Sequence, residues 1–309
     1  MDILMIQQIL VAALITGTPL LLIALGELVC EKSGVLNLGQ EGMMLMGAMA
    51  GFAGAYYTGN LYLGVALAIL AGMAMSMLFG FLSLSLSTNQ VATGLALTIF
   101  GTGLSSFLGS GLVGSTISGF KPIALPLLSD IPLLGPLLFN QDILVYSSFV
   151  IVTITWYILQ KTRVGLTIRA VGENPRSANA LGIKVIQVRY LTTLFGGAMA
   201  GLAGSYMSLV YTPMWMENMT AGRGWIALAL VVFASWRIGY LMLGAYLFGF
   251  ASILHLVMQG FGFDISPNLL AMTPYVATIA VMVVISSNAL KQKLATPMSL
   301  GKSFDPKLH

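Results

Sequence analysis

Charge is what this sequence has least of. Only 8% of its 309 residues are Asp, Glu, Lys or Arg, while 57% are hydrophobic and the mean hydropathy is +0.91. A soluble globular chain carries roughly 25% charged residues. So few charges cannot coat a water-facing surface, which excludes an ordinary soluble domain and makes lipid the expected solvent. Cys30 is the sole cysteine, which excludes an internal disulfide. The two histidines, His255 and His309, lie far apart and have no cysteine partners, so no metal-ligand spacing is present. No Lys or Arg precedes Lys32, and a secretory signal needs a basic first region, so the first apolar stretch is expected to be retained as a span.

Nucleotide-binding loops are also missing. Gly109-Ser110-Gly111-Leu112-Val113-Gly114 has glycine-fingerprint spacing, with Asp130 downstream, but it needs a strand before it and has an apolar span instead. Gly301-Lys302-Ser303 resembles the end of a phosphate loop, yet Thr296 stands where the first glycine belongs. No ATPase motif and no catalytic residue is visible, so an enzyme is not expected and any energy must come from elsewhere.

What is present is a series of charge-free stretches: 3–26, 42–120, 143–160, 190–216, 238–263 and 265–290. A helix needs about 20 apolar residues to cross ~30 Å of hydrocarbon. The longest stretch divides at Tyr57-Thr58-Gly59-Asn60 and at Ser87-Thr88-Asn89-Gln90. The expected fold is all-α and polytopic, a single transmembrane domain over 1–309 with about nine spans. They fall at about 8–28, 36–57, 62–86, 90–111, 143–160, 190–211, 223–236, 239–258 and 270–290. The second opens on the glycine-rich polar run Gly34–Gly42, and the seventh is short and opens on Gly222-Arg223-Gly224. Broken backbone at membrane depth is tolerated only where protein or a water path covers it.

The basic residues set an expected orientation. With 161–189 placed in the cytoplasm, the inner segments hold Lys32, Lys161, Arg163, Arg169, Arg176, Lys184, Arg189, Arg237, Lys291, Lys293, Lys302 and Lys307, and the outer segments hold Lys121 and Arg223. Twelve against two is a positive-inside pattern, with the N-terminus outside and the C-terminus inside. The two broken helices suggest an inverted repeat, about 8–111 and about 190–290. Glycines 196, 197, 201 and 204 with Ala198, Ala200 and Ala203 form a small-residue packing face. Most of the nineteen methionines read as core or lipid-facing filler.

The polar loop 161–189 is more elaborate than a connection needs. Asn174 can cap a helix whose first residue is Pro175 and which ends at Gly182. An amphipathic stretch carrying Ile183, Val185, Ile186 and Val188 follows. From the residues alone, a docking element and an interfacial helix on anionic lipid fit equally. The string Arg169-Ala170-Val171-Gly172-Glu173-Asn174-Pro175-Arg176-Ser177-Ala178-Asn179-Ala180-Leu181-Gly182-Ile183-Lys184 resembles the coupling loop of ABC importer permeases of the branched-chain amino acid and ribose type. The run Glu31–Ala48 is similar to the nucleoside and simple-sugar subgroup, and Gly196–Gly204 fits the same family.

The resemblance implies the membrane-spanning permease subunit of an ATP-binding-cassette importer, expected to carry nucleosides. The alternatives are a simple sugar such as ribose or galactose, or a branched-chain amino acid. It implies a cytoplasmic ATP-binding subunit that holds ATP and magnesium, a second permease subunit in a heterodimer, and an extracytoplasmic substrate-binding lipoprotein, all at the bacterial cytoplasmic membrane. No cofactor and no nucleic acid is expected on this chain. The expected ATPase-coupling residues are Arg169, Gly172, Glu173, Asn174, Pro175, Arg176, Ala178 and Gly182. The expected translocation path includes Asn37, Gln40, Glu41, Asn89, Thr93, Tyr211 and Trp225, although Asn37, Gln40 and Glu41 could instead stabilise the broken helix. A rival class is a self-sufficient ion-coupled transporter, which would need more intramembrane carboxylates than this sequence offers. Glu217 and Asp264 fall at expected outer edges.

Overall fold

The computed structural model describes residues 3–124, 134–260 and 296–305, together with residues 126, 129, 131, 272 and 276. Helices dominate: α1 (Ile3–Lys32), α2 (Gln40–Thr58), α3 (Leu61–Gly80), α4 (Gln90–Gly109), α5 (Leu134–Leu138), α6 (Ile143–Lys161), α7 (Arg163–Glu173), α8 (Pro175–Ala180), α9 (Val185–Tyr206), α10 (Arg223–Phe233) and α11 (Ile238–Gly260). Strands β1 (Ile123–Ala124) and β2 (Asn140–Gln141) pair antiparallel, with Ile123 opposite Gln141. π-helical turns extend α3 to Ser85 and α9 to Tyr211.

Among the described residues, five helical stretches are long and apolar enough to cross a membrane: Met5–Lys32, Leu61–Ser85, Gln90–Leu112, Ile143–Lys161 and Val185–Tyr211. Helices α2, α10 and α11 fall where three more of the spans are expected. The ninth, 270–290, lies outside the described residues. Local chemistry explains the breaks. Gly59 takes φ +68° at the end of α2, and Asn60 Oδ1 caps α3 by accepting from the Tyr62 and Leu63 amides. Asn89 caps α4 through the Ala92 amide, and Asp142 caps α6 through the Leu144 and Val145 amides.

The loop after α6 differs from its sequence reading. Arg163–Glu173 is helical, capped by Thr162. Its buried residues Ile168 and Val171 are spaced for one helical face, which Arg163 and Arg169 on the same helix obscure in the sequence. The expected amphipathic stretch 183–188 is mostly the first turn of α9, which starts at Val185.

Helix α1 forms the centre, with α9 and α11 packed along it. Leu20 to Leu25 and Leu28 are essentially fully buried, as expected of a helix that is apolar all round. Helices α2, α3 and α9 form a second tight group. Lipid offers no hydrophobic drive for helices to associate, so close backbone approach between small residues must supply the attraction. A Cβ added to Gly47 would fall 2.5 Å from the Gly201 Cα, and one on Gly201 would collide with the Ala68 carbonyl.

Replacing Gly201 with Leu is therefore expected to destabilise the protein by at least about 3 kcal/mol, since overpacking alone costs about 1–3 kcal/mol. Gly103, with open space around its Cα, should accept Leu without effect. Thermal midpoints of the two variants in detergent test this. Equal midpoints would remove close packing as the reason for the glycine face.

Candidate functional site

The chain between α1 and α2 is where regular backbone stops. Ser33, Gly34 and Val35 turn back on the end of α1, with Gly34 at φ +88°. Its polar atoms are then satisfied by side chains. The Asn37 amide donates to Glu27 Oε1 at 2.9 Å, and Gln40 Nε2 donates to Glu27 Oε2 at 2.5 Å. Asn37 Oδ1 accepts from the Gly39 amide at 2.9 Å, and Gln90 Oε1 accepts from the Leu36 amide at 2.9 Å. Thr98 Oγ1 donates to the Leu38 carbonyl at 2.9 Å. Glu27, Asn37 and Gln40 are fully buried.

Glu41 performs the corresponding task for the second break. It stands in the first turn of α2, only 5% exposed. Its Oε1 accepts from Thr220 Oγ1 at 2.5 Å and from the Gly222 amide at 2.8 Å, and its Oε2 accepts from the Gly224 amide at 2.6 Å. Gly222 is the N-cap of α10 and Gly224 lies in its first turn. A helix start exposes unpaired N–H groups and the positive end of the helix dipole. Glu41 satisfies both while standing at the start of its own helix, so the openings of α2 and α10 meet at one carboxyl group. Gly222 adopts φ +83°, and a Cβ on Gly224 would lie 2.6 Å from the Glu41 Cα. α10 has 11 residues, about 16 Å of helix, half of a bilayer core. Past its far end, Trp236 Nε1 donates to Glu31 Oε2 at 2.5 Å.

The expected path residues thus separate into groups. Asn37, Gln40 and Glu41 are joined in the hydrogen-bonded lining of the two breaks. Asn89 is an exposed cap. Thr93 bonds Thr88 at 2.8 Å and faces a mostly apolar crevice of about 450 Å³ with Leu78, Leu82 and Phe100. Trp225 is 39% exposed on α10. Tyr211 lies under the Arg223 guanidinium, 5.3 Å from the ring centre, and lines a separate cavity of about 560 Å³. That cavity also presents Gln7, Gln8, Phe120, Asn140 and Asp142. Burial pushes the Asp142 carboxyl above its ordinary value, opposed by the Val145 and Leu144 amides it caps. No cluster of metal-ligating side chains occurs among the described residues.

The expected coupling residues form one compact projection. Asn174 Oδ1 caps α8 through the Ser177 amide at 3.0 Å, Pro175 takes its first position, and Gly182 ends it at φ +82°. Gly172 and Ala178 are buried packing positions. Arg169 and Pro175 are half-buried, while Glu173, Asn174, Arg176 and Gly182 face outward. Leu181, 82% exposed, stands among them.

Sequence reading missed Glu27, Glu31, Trp236 and Arg189 as structural partners. The signal for the first two was available, because two carboxylates four residues apart at the end of an apolar run share one helix face.

Removing the Glu41 carboxyl group leaves buried donors unpaired, each costing about 1–3 kcal/mol. Glu41→Ala is expected to destabilise the protein by about 3 kcal/mol or more, and Glu41→Gln less, since one amide oxygen still accepts. Thermal midpoints in detergent check this. An unchanged midpoint in Glu41→Ala would show that the α10 opening is held by something else.

The model of the family described as branched-chain amino acid transport system / permease component matches residues 9–286. A Haloferax volcanii permease protein assigned to a glucose ABC transporter is 40% identical, over 94% of each chain. The guanosine ABC transporter permease protein NupQ of Bacillus subtilis is 34% identical, over 90% of this chain and 92% of its own. Among solved structures, a metal-chelate type ABC transporter in an inward-facing conformation aligns at TM-score 0.50 and 16% identity, covering 90% of this chain and 84% of that one, a likeness of fold alone. With a family model covering most of its length, this chain belongs to the branched-chain amino acid transport system permease component family.

Proposed function

We propose that this chain is one of two permease subunits of an ABC importer for nucleosides, driven by an ATP-binding subunit that grips α8. The observation that carries the reading is the α7–α8 projection. It is short, capped at both ends, anchored on its inner face and open on its outer face. Leu181 supplies an exposed apolar anchor, and Glu173 and Arg176 give the rim beside it both signs of charge, which suits a protein partner. ATP and magnesium belong to the partner. A binding protein, a lipoprotein in this reading, delivers solute at the outer face, and the two permeases form a heterodimer.

The orientation follows the positive-inside pattern, with the N-terminus outside and α7–α8 in the cytoplasm. The meeting of two helix openings at Glu41 supports an inverted repeat, because transporters built that way place interrupted helices at matching positions near the midplane. The Tyr211 cavity supports an uncharged solute. Its amides and phenol can exchange hydrogen bonds with sugar hydroxyls, and Phe120 offers a face for stacking. Its one carboxyl group would repel that of an amino acid, and Arg223 is already engaged with the Tyr211 ring and the Thr220 carbonyl. A simple sugar is the second reading, favoured by the relative assigned to glucose transport.

Competition uptake into proteoliposomes holding the assembled transporter and its binding protein separates these readings. Guanosine is expected to be taken up with ATP and to resist competition by glucose and leucine. The double variant Glu173→Ala/Arg176→Ala is expected to lower ATP-driven uptake at least about tenfold, the effect of 1.4 kcal/mol at the docking surface. Retention of both uptake and ATPase association in that variant would refute docking at α8. Gradient-driven guanosine uptake by this chain alone would replace the importer with an ion-coupled transporter.

A further inference from the structure

Residues 296–305 return to the protein at the junction of α1, α7 and α9. The Ser299 amide donates to the Gly172 carbonyl at 3.0 Å, and Ser299 Oγ donates to the same oxygen at 2.6 Å. The Gly301 amide donates to the Gly34 carbonyl at 3.1 Å, with Gly301 itself at φ +73°. Phe304 is buried in a cluster with Val171 of α7, Ala178 of α8 and Val185 of α9. One short segment therefore holds the end of the coupling helix and the turn that opens the first break.

Arg189 locks this arrangement from inside. It is fully buried in the first turns of α9. Its Nε donates to the Ser33 carbonyl at 3.2 Å, Nη1 to the Lys302 carbonyl at 3.0 Å and Nη2 to Ser299 Oγ at 3.2 Å. A planar guanidinium can serve these separate acceptors at once, which a lysine ammonium in the same place cannot do in that geometry. Gly172 and Gly34 admit the contacts because neither carries a Cβ. One on Gly172 would collide with the Lys32 carbonyl, and one on Gly34 would lie 2.9 Å from Arg189 Nη2.

We propose that residues 296–305 are a tether that carries displacement of α7 and α8 to the Gly34 turn and so to the Glu27–Gln40 network of the first break. The proposal rests on the importer reading above and adds the route by which the coupling loop reaches the membrane interior. The physical reason is stiffness. The loop 33–39 has no helical or strand ladder to carry a push along itself, whereas a segment hydrogen-bonded at Gly172, Gly34 and Arg189 and anchored by a buried ring moves with what it holds. Phe304, Ser299 and Arg189 are positioning residues and touch no solute.

The test uses the full assembly in proteoliposomes, with guanosine as the solute. Phe304→Ala is expected to keep its ATP-binding partner and to raise ATP hydrolysed per guanosine imported by about fivefold or more, the low end of ordinary coupling between sites. Arg189→Lys should shift the ratio the same way. Uptake and hydrolysis falling in proportion would overturn the tether, and so would no change in either. Should Phe304→Ala fail to assemble, Ser299→Ala decides, because it removes the side-chain hydrogen bonds to Gly172 and Arg189 and keeps the buried ring. It should raise the same ratio, whereas an unchanged ratio would overturn the tether. An unmodified assembly without ATP-driven uptake fails differently, for it sinks the importer reading itself.

Discussion

A chain that breaks its helix inside a bilayer has no water to bond the freed amides, and each unsatisfied group costs several kcal/mol. The α1–α2 and α10 breaks depend on polar side chains that stand opposite them, with a carboxyl group at each and Gln90, Thr98 and Asn37 completing the first. Glu27 takes the Asn37 amide and the Gln40 side chain, and Glu41 takes two amides and a hydroxyl from the Thr220–Gly224 turn. Glu31 closes the other end of α10 through Trp236. Without these groups, continuous helices would be the lower-energy solution and there would be no short helix to move.

The same constraint explains where the glycines fall. Carboxyl groups can reach a backbone amide at 2.6–2.9 Å only if the backbones themselves come close. Gly224 allows this at α10, where Gly222 supplies the left-handed turn, and Gly34 and Gly172 allow an equally close backbone approach where α1, α7 and residues 296–305 meet. The glycine faces of α2, α3 and α9 bring the flanking helices close enough for the breaks to be enclosed by protein rather than lipid. Small residues and buried acids are thus two parts of one arrangement.

Much of this was legible in the sequence. Among the described residues, charge spacing and turn sequences located the long apolar helices within a few residues, because a bilayer span is a long signal in one physical variable. Asn60, Asn89, Asn174 and Gly182 marked their boundaries, because a cap is a local requirement of the backbone. The breaks at Gly34–Gly42 and Gly222–Gly224 were visible as polar and glycine-rich runs at membrane depth. The partners were not. Glu41 meets Thr220 and Gly222, and Arg189 meets Ser299 and Lys302, across separations that no local pattern encodes. For the same reason Asn37 and Gln40 could be read as path lining or as support, and only their bonds to Glu27 and to the loop itself distinguish what they hold. Helix α7 was obscured because its basic residues look like loop polarity until one face is buried.

A buried arginine bonded to carbonyls and a hydroxyl is costly to desolvate, and an apolar residue of similar size would pack at less cost. Its presence at position 189 makes physical sense if geometry matters more there than stability. Carbonyl groups fix the direction of each N–H contact as apolar surfaces do not, so a guanidinium holding Ser33, Ser299 and Lys302 sets their relative positions to a few tenths of an ångström. Apolar packing at Phe304 holds the segment on α7 and α8, and the polar node at Arg189 sets its register against the Gly34 turn. A mechanical link needs both properties, attachment at one end and alignment at the other, and this junction places them within six residues of each other, from Ser299 to Phe304.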